Sequence, residues 1–141
     1  MKKIILITTL LGLCSVGRAD DCKGDLTSQY LQEAFMTSAM AKNVQARVST
    51  SPYASISENT GREICFLDGS IATHLDRLSD LAGSLSSSNK MHLVQAETEQ
   101  IRIGSYCHSN LFSGIQSLSP KAIFESAQTM ASELDQILKT P

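Results

Sequence analysis

The stretch that decides the fold runs from residue 62 to residue 107 and reads REICFLDGSIATHLDRLSDLAGSLSSSNKMHLVQAETEQIRIGSYC. Its polar run SSSNK separates two segments of helical period, which predicts two antiparallel helices joined by a short turn. In such a hairpin the numbers of facing residues add to a constant, and Cys65 with Cys107 and Gly69 with Gly104 give nearly the same total. A disulfide needs Cα atoms within about 7 Å, and a glycine near each cysteine permits that approach. The stretch therefore predicts two helices joined by a disulfide.

The N-terminus reads as an export signal. Lys2 and Lys3 precede a short apolar run. Gly17 and Ala19 are small residues at the two positions that a signal peptidase recognises before its cleavage site. The run is too short to span a bilayer. We therefore expect a signal peptide over residues 1–19, a single domain over residues 20–141 and a secreted protein.

Export also determines how the cysteines are expected to behave. In an oxidising compartment Cys65 and Cys107 should pair, and their closed loop of roughly 43 residues stabilises the fold by up to about 4 kcal/mol. Cys22 is the odd thiol because it precedes the first helix, so it is expected to be free or in an intermolecular bond. The protein is accordingly predicted to be a monomer or a weak dimer through Cys22.

The charge balance limits the class of partner. Without Lys2, Lys3 and Arg18, nine basic residues remain against 14 acidic ones, a net charge of −5. No run or stripe of basic residues is present, so nucleic acid and an anionic membrane surface are poor candidates. A protein partner is expected.

Four segments show the period of an amphipathic helix. They cover about residues 26–48, 62–85 and 90–115, and a last helix opens at Ser119-Pro120, where serine is a suitable cap and proline a suitable first residue. Phe35 belongs to the predicted apolar face of the first helix, and Val94 and Ile101 to that of the third. The connections between the last three helices are short, so neighbours should be antiparallel. The predicted fold is all-α, an up-down-up-down four-helix bundle.

No pattern of residues points to chemistry. His74, His92 and His108 fall on widely separated turns without a Glu-x-x-His partner, so no metal site is expected. A haem attached through Cys-x-x-Cys-His is disfavoured because Cys107-His108 lacks the first cysteine. No nucleophile elbow or catalytic triad spacing occurs. We expect no catalytic residues, no cofactor and no enzymatic activity, and we keep a cofactor-carrying bundle as a third class.

A family resemblance rests on the cysteine spacing and the residues around it. The predicted second helix carries a cysteine and then apolar or small residues at helical spacing: Cys65, Ile71, Ala72, Leu75 and Leu78. Cys107 follows about forty residues after Cys65, and the last helix contains the small-residue run ESAQTM. This pattern, over roughly residues 59–138, resembles the plant invertase and pectin methylesterase inhibitor family.

The resemblance implies a function and candidate contacts. Family members are secreted four-helix bundles with a disulfide joining the second and third helices, so this chain would inhibit a pectin methylesterase or an acid invertase of the apoplast or cell wall. Inhibition would occur by occlusion of the active-site cleft. Invertase inhibitors carry Pro-Lys-Phe between these helices, where this chain has Asn89-Lys90-Met91, so Lys90 and Met91 become candidate contacts. Members also begin with a hairpin closed by a second disulfide, and only Cys22 stands there in this chain.

Further candidate contacts are acidic and hydroxyl side chains expected on exposed faces of the second and third helices, where they would meet a basic partner. They are Asp68, Thr73, Asp76, Asp80, Glu97, Thr98 and Glu99. The alternative function is that of an exported helical-bundle binding or adaptor protein with no enzyme target.

Overall fold

The computed structural model describes residues 19–51, 54–113 and 118–139, with side chains described from residue 26 onward except at residues 84 and 110–113. These residues form four α-helices and no strand: α1 (Ala19–Arg47), α2 (Glu58–Leu81), α3 (Ser87–Ser113) and α4 (Pro120–Lys139). A short 3₁₀ turn, Ala82–Ser84, connects α2 to α3. The predicted up-down-up-down four-helix bundle is confirmed. The predicted signal peptide, apart from Ala19, and the side chain of Cys22 lie outside the described residues.

The helices occupy the corners of a square. The main contacts join α1 to α2, α2 to α3, α3 to α4 and α4 to α1, so each helix packs against two neighbours. Each helix turns one apolar face inward. The large, fully buried side chains between the helices include Tyr106, Ile64, Ile71, Ile103, Met130 and Leu134. No helix among the described residues is long and apolar enough to cross a bilayer.

Serine caps set the starts of the last three helices. The Ser119 hydroxyl accepts the Ala122 N–H at 3.1 Å, which confirms the predicted start of α4. Ser57 accepts the Thr60 N–H at 3.2 Å in the same way, so α2 begins at Glu58, four residues before the predicted start. Asn59, Thr60 and Gly61, which lie outside the predicted helices, therefore belong to the first turn of α2.

The other boundaries also differ from the prediction. Helix α1 begins at Ala19 rather than near residue 26. The sequence did not predict this earlier start, because the polar run DDCKGD has no apolar period to indicate a helix. Helix α2 ends at Leu81 and gives way to the 3₁₀ turn, and α3 begins at Ser87. The predicted end of α3 near residue 115 lies outside the described residues.

The seam between α2 and α3 contains the predicted disulfide. Cys65 and Cys107 are bonded, and their Cα atoms lie 5.4 Å apart. A Cβ added at Gly104 would lie 3.4 Å from Asp68 Oδ2, so Gly104 does face α2. A Cβ at Gly69 would meet nothing within 4 Å, so the predicted packing role of Gly69 is wrong. Asp68 takes the inward position instead, and Gly69 faces outward.

Three predicted core residues lie on the outside of the bundle. Phe35 is 65% exposed, Val94 58% and Ile101 64%. Successive helical residues are about 100° apart, so Ile101 lies nearly opposite Ile103, which is fully buried. Ile101 and Ile103 therefore lie on opposite faces of the same helix.

Candidate functional site

The outer face of α2 presents a continuous line of side chains at helical spacing. Since Ile64, Asp68, Ile71, Leu75 and Leu78 are buried, the residues on the opposite side of α2 point away from the core. We call this line the α2 surface: Arg62, Phe66, Gly69, Thr73, Asp76 and Asp80, all of them exposed.

Phe66 is the most prominent member of the α2 surface. Its side chain is 77% exposed, the highest value among the large apolar residues whose side chains are described. Its neighbour Cys65 is bonded to Cys107 of α3, so the turn that carries Phe66 is fixed covalently to the next helix. An exposed aromatic ring on a rigid helix buries a large apolar area on binding and loses little conformational entropy, which is typical of an interface anchor.

Gly69 leaves a notch beside this anchor. It lies one turn after Phe66 and is exposed, and no atom beyond its chain neighbours and the nearby backbone of its own helix lies within 4 Å of where its Cβ would be. Thr73 Oγ1 donates to the Gly69 carbonyl at 3.1 Å, which keeps that hydroxyl against the helix. A partner can therefore approach the α2 backbone closely at this point.

Charge changes sign along the α2 surface. Arg62 lies near the start of α2 and donates to Glu58 Oε1 at 2.5 Å, and both side chains are more than two-thirds exposed. Asp76 and Asp80 lie in the last two turns of the helix and are exposed. Arg77, whose side chain is 59% exposed, lies between them in sequence, so this end of the helix carries two carboxylates and one guanidinium.

The predicted contact residues divide into an exposed and a buried group. The exposed group contains Thr73, Asp76, Asp80, Lys90, Met91 and Thr98. Glu97 is partly exposed and accepts the Ser79 hydroxyl at 2.8 Å. Asp68 and Glu99 are only 6% and 7% exposed, so the prediction of an exposed position is wrong for both.

Asp68 is buried in the α2–α3 seam, one turn from the disulfide. Its Oδ1 accepts a hydrogen bond from Gln100 Nε2 at 3.2 Å. Burial raises the pKa of Asp68 to about 6, although the Gln100 hydrogen bond acts to lower it. Glu99 lies on the other side of α3, where Arg102 Nη1 donates to both of its oxygens at 3.2 and 3.3 Å. These two carboxylates contribute to packing between helices.

The segment Asn89-Lys90-Met91 is part of the first turns of α3. Its Asn89 side chain is 1% exposed and therefore points into the bundle, whereas Lys90 and Met91 are exposed. The backbone N–H of Asn89 donates to Ser86 Oγ at 3.2 Å, as expected at a helix start. The segment is helical, so it does not form a projecting loop.

Two histidines make contacts that the sequence did not indicate. His74 of α2 pairs with Glu33 of α1, and His92 of α3 pairs with Glu133 of α4. Each pair joins adjacent helices and is partly buried. No cluster of three or more His, Cys, Asp or Glu residues suited to a metal ion occurs among the described residues.

Two shallow cavities lie beside the helices. One, of about 410 Å³, lies next to the disulfide and is lined by Arg62, Cys65 and Tyr106, among others. The other, of about 500 Å³, lies between α3 and α4 and is lined by Glu99, Arg102 and Ser126, among others. Both are open to solvent and mix polar and apolar walls, so neither has the enclosed, mainly apolar lining of a small-molecule site.

Sequence reasoning missed Phe66, the large apolar member of the candidate site. A signal was present, because Phe66 is a large apolar residue that falls outside the stripe formed by Ile64, Leu67 and Ile71. A bulky apolar side chain off the buried stripe of an amphipathic helix must face solvent or a partner.

Comparison with known proteins adds no relative. No family model, no curated protein and no solved structure matches the chain.

Proposed function

We propose that the protein is a non-catalytic binding protein that docks onto a protein partner through the α2 surface. The observation that carries the proposal is Phe66, an aromatic side chain that is 77% exposed beside the open notch at Gly69. A partner surface that covers this ring would gain the free energy of burying a large apolar area, which the isolated bundle does not gain.

The partner we propose first is an extracellular carbohydrate-active enzyme, a pectin methylesterase or an acid invertase, inhibited by occlusion of its cleft. Support comes from the sequence resemblance and from the shape of the surface, because a convex helix with a projecting ring complements a concave cleft. The disulfide next to Phe66 reduces the entropy lost when the surface is ordered on binding. Asp76 and Asp80 would meet basic groups on the enzyme.

A second candidate is a binding or adaptor protein with no enzyme target. It is favoured by the structure of Asn89-Lys90-Met91, the segment that stands where the invertase inhibitors carry their Pro-Lys-Phe motif. Here the segment is the start of α3 and Asn89 is buried, so only Lys90 and Met91 remain available to a target.

Titration against purified enzymes tests the first candidate. The protein is added to a pectin methylesterase and to an acid invertase between about pH 4.5 and pH 7, and residual activity is measured. We expect stoichiometric loss of one activity, and we expect Phe66→Asp to weaken the inhibition at least about tenfold, as for a central interface residue. No loss of either activity at any pH would rule out the enzyme targets.

A matched control is available on another helix. Phe35 of α1 is 65% exposed, so Phe35→Asp makes the same chemical change away from the α2 surface. Inhibition should be unchanged in Phe35→Asp. Equal loss in both variants would show that the substitutions act through the fold and would remove Phe66 from the site.

A further inference from the structure

A second apolar surface lies along α3 and is separate from the α2 surface. Met91 is 72% exposed, Val94 58% and Ile101 64%, and the uncharged Thr98 and Ser105 are also exposed. The five residues are spaced four and three apart in alternation over two heptads, which is the spacing of a coiled-coil seam. We call them the α3 seam: Met91, Val94, Thr98, Ile101 and Ser105.

The α3 seam points away from its own bundle. The inward face of α3 contains Leu93, Ala96 and Ile103, all buried, while α2 and α4 pack on its two sides. The seam lies at the outer corner of the square, where the described residues supply no covering helix. A soluble monomer rarely leaves three large apolar side chains in one row facing water.

We propose that two copies of the chain associate through the α3 seam as a parallel, two-fold symmetric pair of α3 helices. In this arrangement each seam residue meets the same residue of the other copy, so Met91, Val94 and Ile101 form apolar layers around Thr98. The seam needs no new pocket or loop, since identical helices at heptad spacing interdigitate by knobs-into-holes packing.

Charges beside the seam favour a second copy as the occupant. Glu97 directly precedes the seam residue Thr98, and Arg102 directly follows Ile101, so they occupy the two flanking positions of the heptad. In a parallel coiled coil, the residue just before one seam residue lies opposite a residue of the other helix that is five positions further along the sequence. Glu97 therefore faces Arg102 of the partner subunit, and symmetry provides this opposite-charge pair twice.

The contacts within one copy are compatible with this pairing. Glu97 accepts the Ser79 hydroxyl through Oε1, and a carboxylate has a second oxygen. Arg102 donates to Glu99 through Nη1, its side chain is 61% exposed, and a guanidinium has five N–H donors. Both side chains can keep these bonds and also reach across the seam.

An antiparallel pair is less favourable. A two-fold axis across the helices would place both α2 helices on the same side of the interface, which brings the acidic Asp76 and Asp80 of the two copies towards each other. Glu97 would also lie close to its own symmetry mate. Like charges in apposition are destabilising, so the parallel arrangement is the one that the charges support.

The α2 surface stays accessible in this dimer because it points from a different corner of the square. A dimer would therefore carry two α2 surfaces, but the pairing of α3 is independent of the function proposed above. The seam exposes only three large apolar side chains, so we expect a dimer that dissociates on dilution.

Sedimentation equilibrium on the full chain tests the association, with Cys14→Ser and Cys22→Ser to exclude intermolecular disulfides. We expect a monomer–dimer equilibrium, and we expect Val94→Asp with Ile101→Asp to raise the dissociation constant at least about tenfold. The control Phe35→Asp should leave it unchanged, and circular dichroism verifies that each variant is folded. A protein that stays monomeric at about 0.5 mM would overturn the proposal, as would a dimer that survives the double aspartate variant.

Cysteine cross-linking and a charge exchange test the parallel geometry. Thr98→Cys should form a disulfide with its own symmetry mate in air, because Thr98 meets Thr98 of the partner subunit across the axis, whereas Ala39→Cys on the exposed face of α1 should not. Glu97→Arg and Arg102→Glu should each weaken the dimer, and the two together should restore it towards the original strength. A dimer without Thr98→Cys cross-linking, or a double charge exchange that is no better than either single change, would overturn the parallel arrangement.

Discussion

The α2–α3 seam and the α1–α4 seam hold the same bundle together by different means. The α2–α3 seam contains the disulfide and a buried carboxyl, Asp68, bonded to Gln100. The α1–α4 seam has its polar contact at the edge, where Asp135 accepts hydrogen bonds from Ser38 at 2.6 Å and Lys42 at 2.8 Å. One seam therefore combines a covalent bond with an ionisable group placed inside, and the other keeps its ion pair in contact with water.

The difference predicts opposite responses to pH. Burial raises the pKa of Asp68 to about 6, so its ionisation weakens the α2–α3 seam as pH rises. Partial burial acts to raise the pKa of Asp135, but the hydrogen bonds from Lys42 and Ser38 outweigh it and hold that pKa below its ordinary value. Protonation of Asp135 therefore weakens the α1–α4 seam at acid pH.

The largest expected effect comes from removing the covalent bond in the α2–α3 seam. Replacing Cys65 and Cys107 together by serine should lower the free energy of unfolding by about 2 to 4 kcal/mol, because the unfolded chain is no longer cross-linked. Urea unfolding followed by circular dichroism measures it. The control Cys22→Ser should have no such effect. A loss below about 1 kcal/mol would show that packing alone holds α2 against α3.

The next effect is the pH dependence caused by Asp68. In the unfolded chain its pKa is near the ordinary 3.8 and in the fold it is about 6. The folded state therefore binds more protons between these values, and stability falls as pH rises from about 4 to 6 and then levels off. Asp68→Asn should remove this fall and stabilise the protein by about 1 to 3 kcal/mol at pH 8, with little change at pH 4.

A matched variant on the same helix controls for the loss of a negative charge. Asp76 is exposed, so Asp76→Asn should leave the pH profile of unfolding as it is in the unmodified protein. If Asp76→Asn flattened the profile as much as Asp68→Asn does, the pH dependence would come from the net charge of the bundle and the burial of Asp68 would be irrelevant to it.

The sequence was sufficient to predict the helices and the disulfide. Helical period located all four helices, and the register of the hairpin was enough to pair Cys65 with Cys107. Both inferences use local spacing, which the chain carries in full. The Ser119 cap was readable for the same reason.

The rotation of each helix about its axis was harder to predict. The buried residues of α2 follow a heptad spacing that includes Asp68. The facing position on α3 is the half-buried Gln100, so a polar pair replaces one apolar layer between the two helices. A prediction from apolar residues alone does not detect such a layer. For this reason the sequence predicted Asp68 to be exposed and gave no position for Phe66.

Helical spacing does not show which exposed surface binds a partner. Exposure of Thr73, Asp76 and Asp80 follows from the period, but a line of exposed residues is common to every amphipathic helix. Phe66 distinguishes this line because its exposure is costly, and only the packed bundle shows that nothing covers it within the described residues. Long-range pairs such as His74 with Glu33 depend on which helices become neighbours, which local spacing does not determine.

The smallest effect should come from the polar edge of the α1–α4 seam. Lys42 and Asp135 are 54% and 35% exposed, and pairs in contact with water contribute about 0 to 1 kcal/mol. Lys42→Met should therefore lower the free energy of unfolding by less than about 1 kcal/mol at pH 7. The difference should shrink as the pH falls through the pKa of Asp135, which lies below its ordinary value, because protonation removes the charge that Lys42 contacts. It should also shrink in about 1 M NaCl, because salt screens exposed charges. A loss of several kcal/mol that persists in salt would mean that this edge is as important to the bundle as the disulfide seam, and the contrast between the two seams would fail.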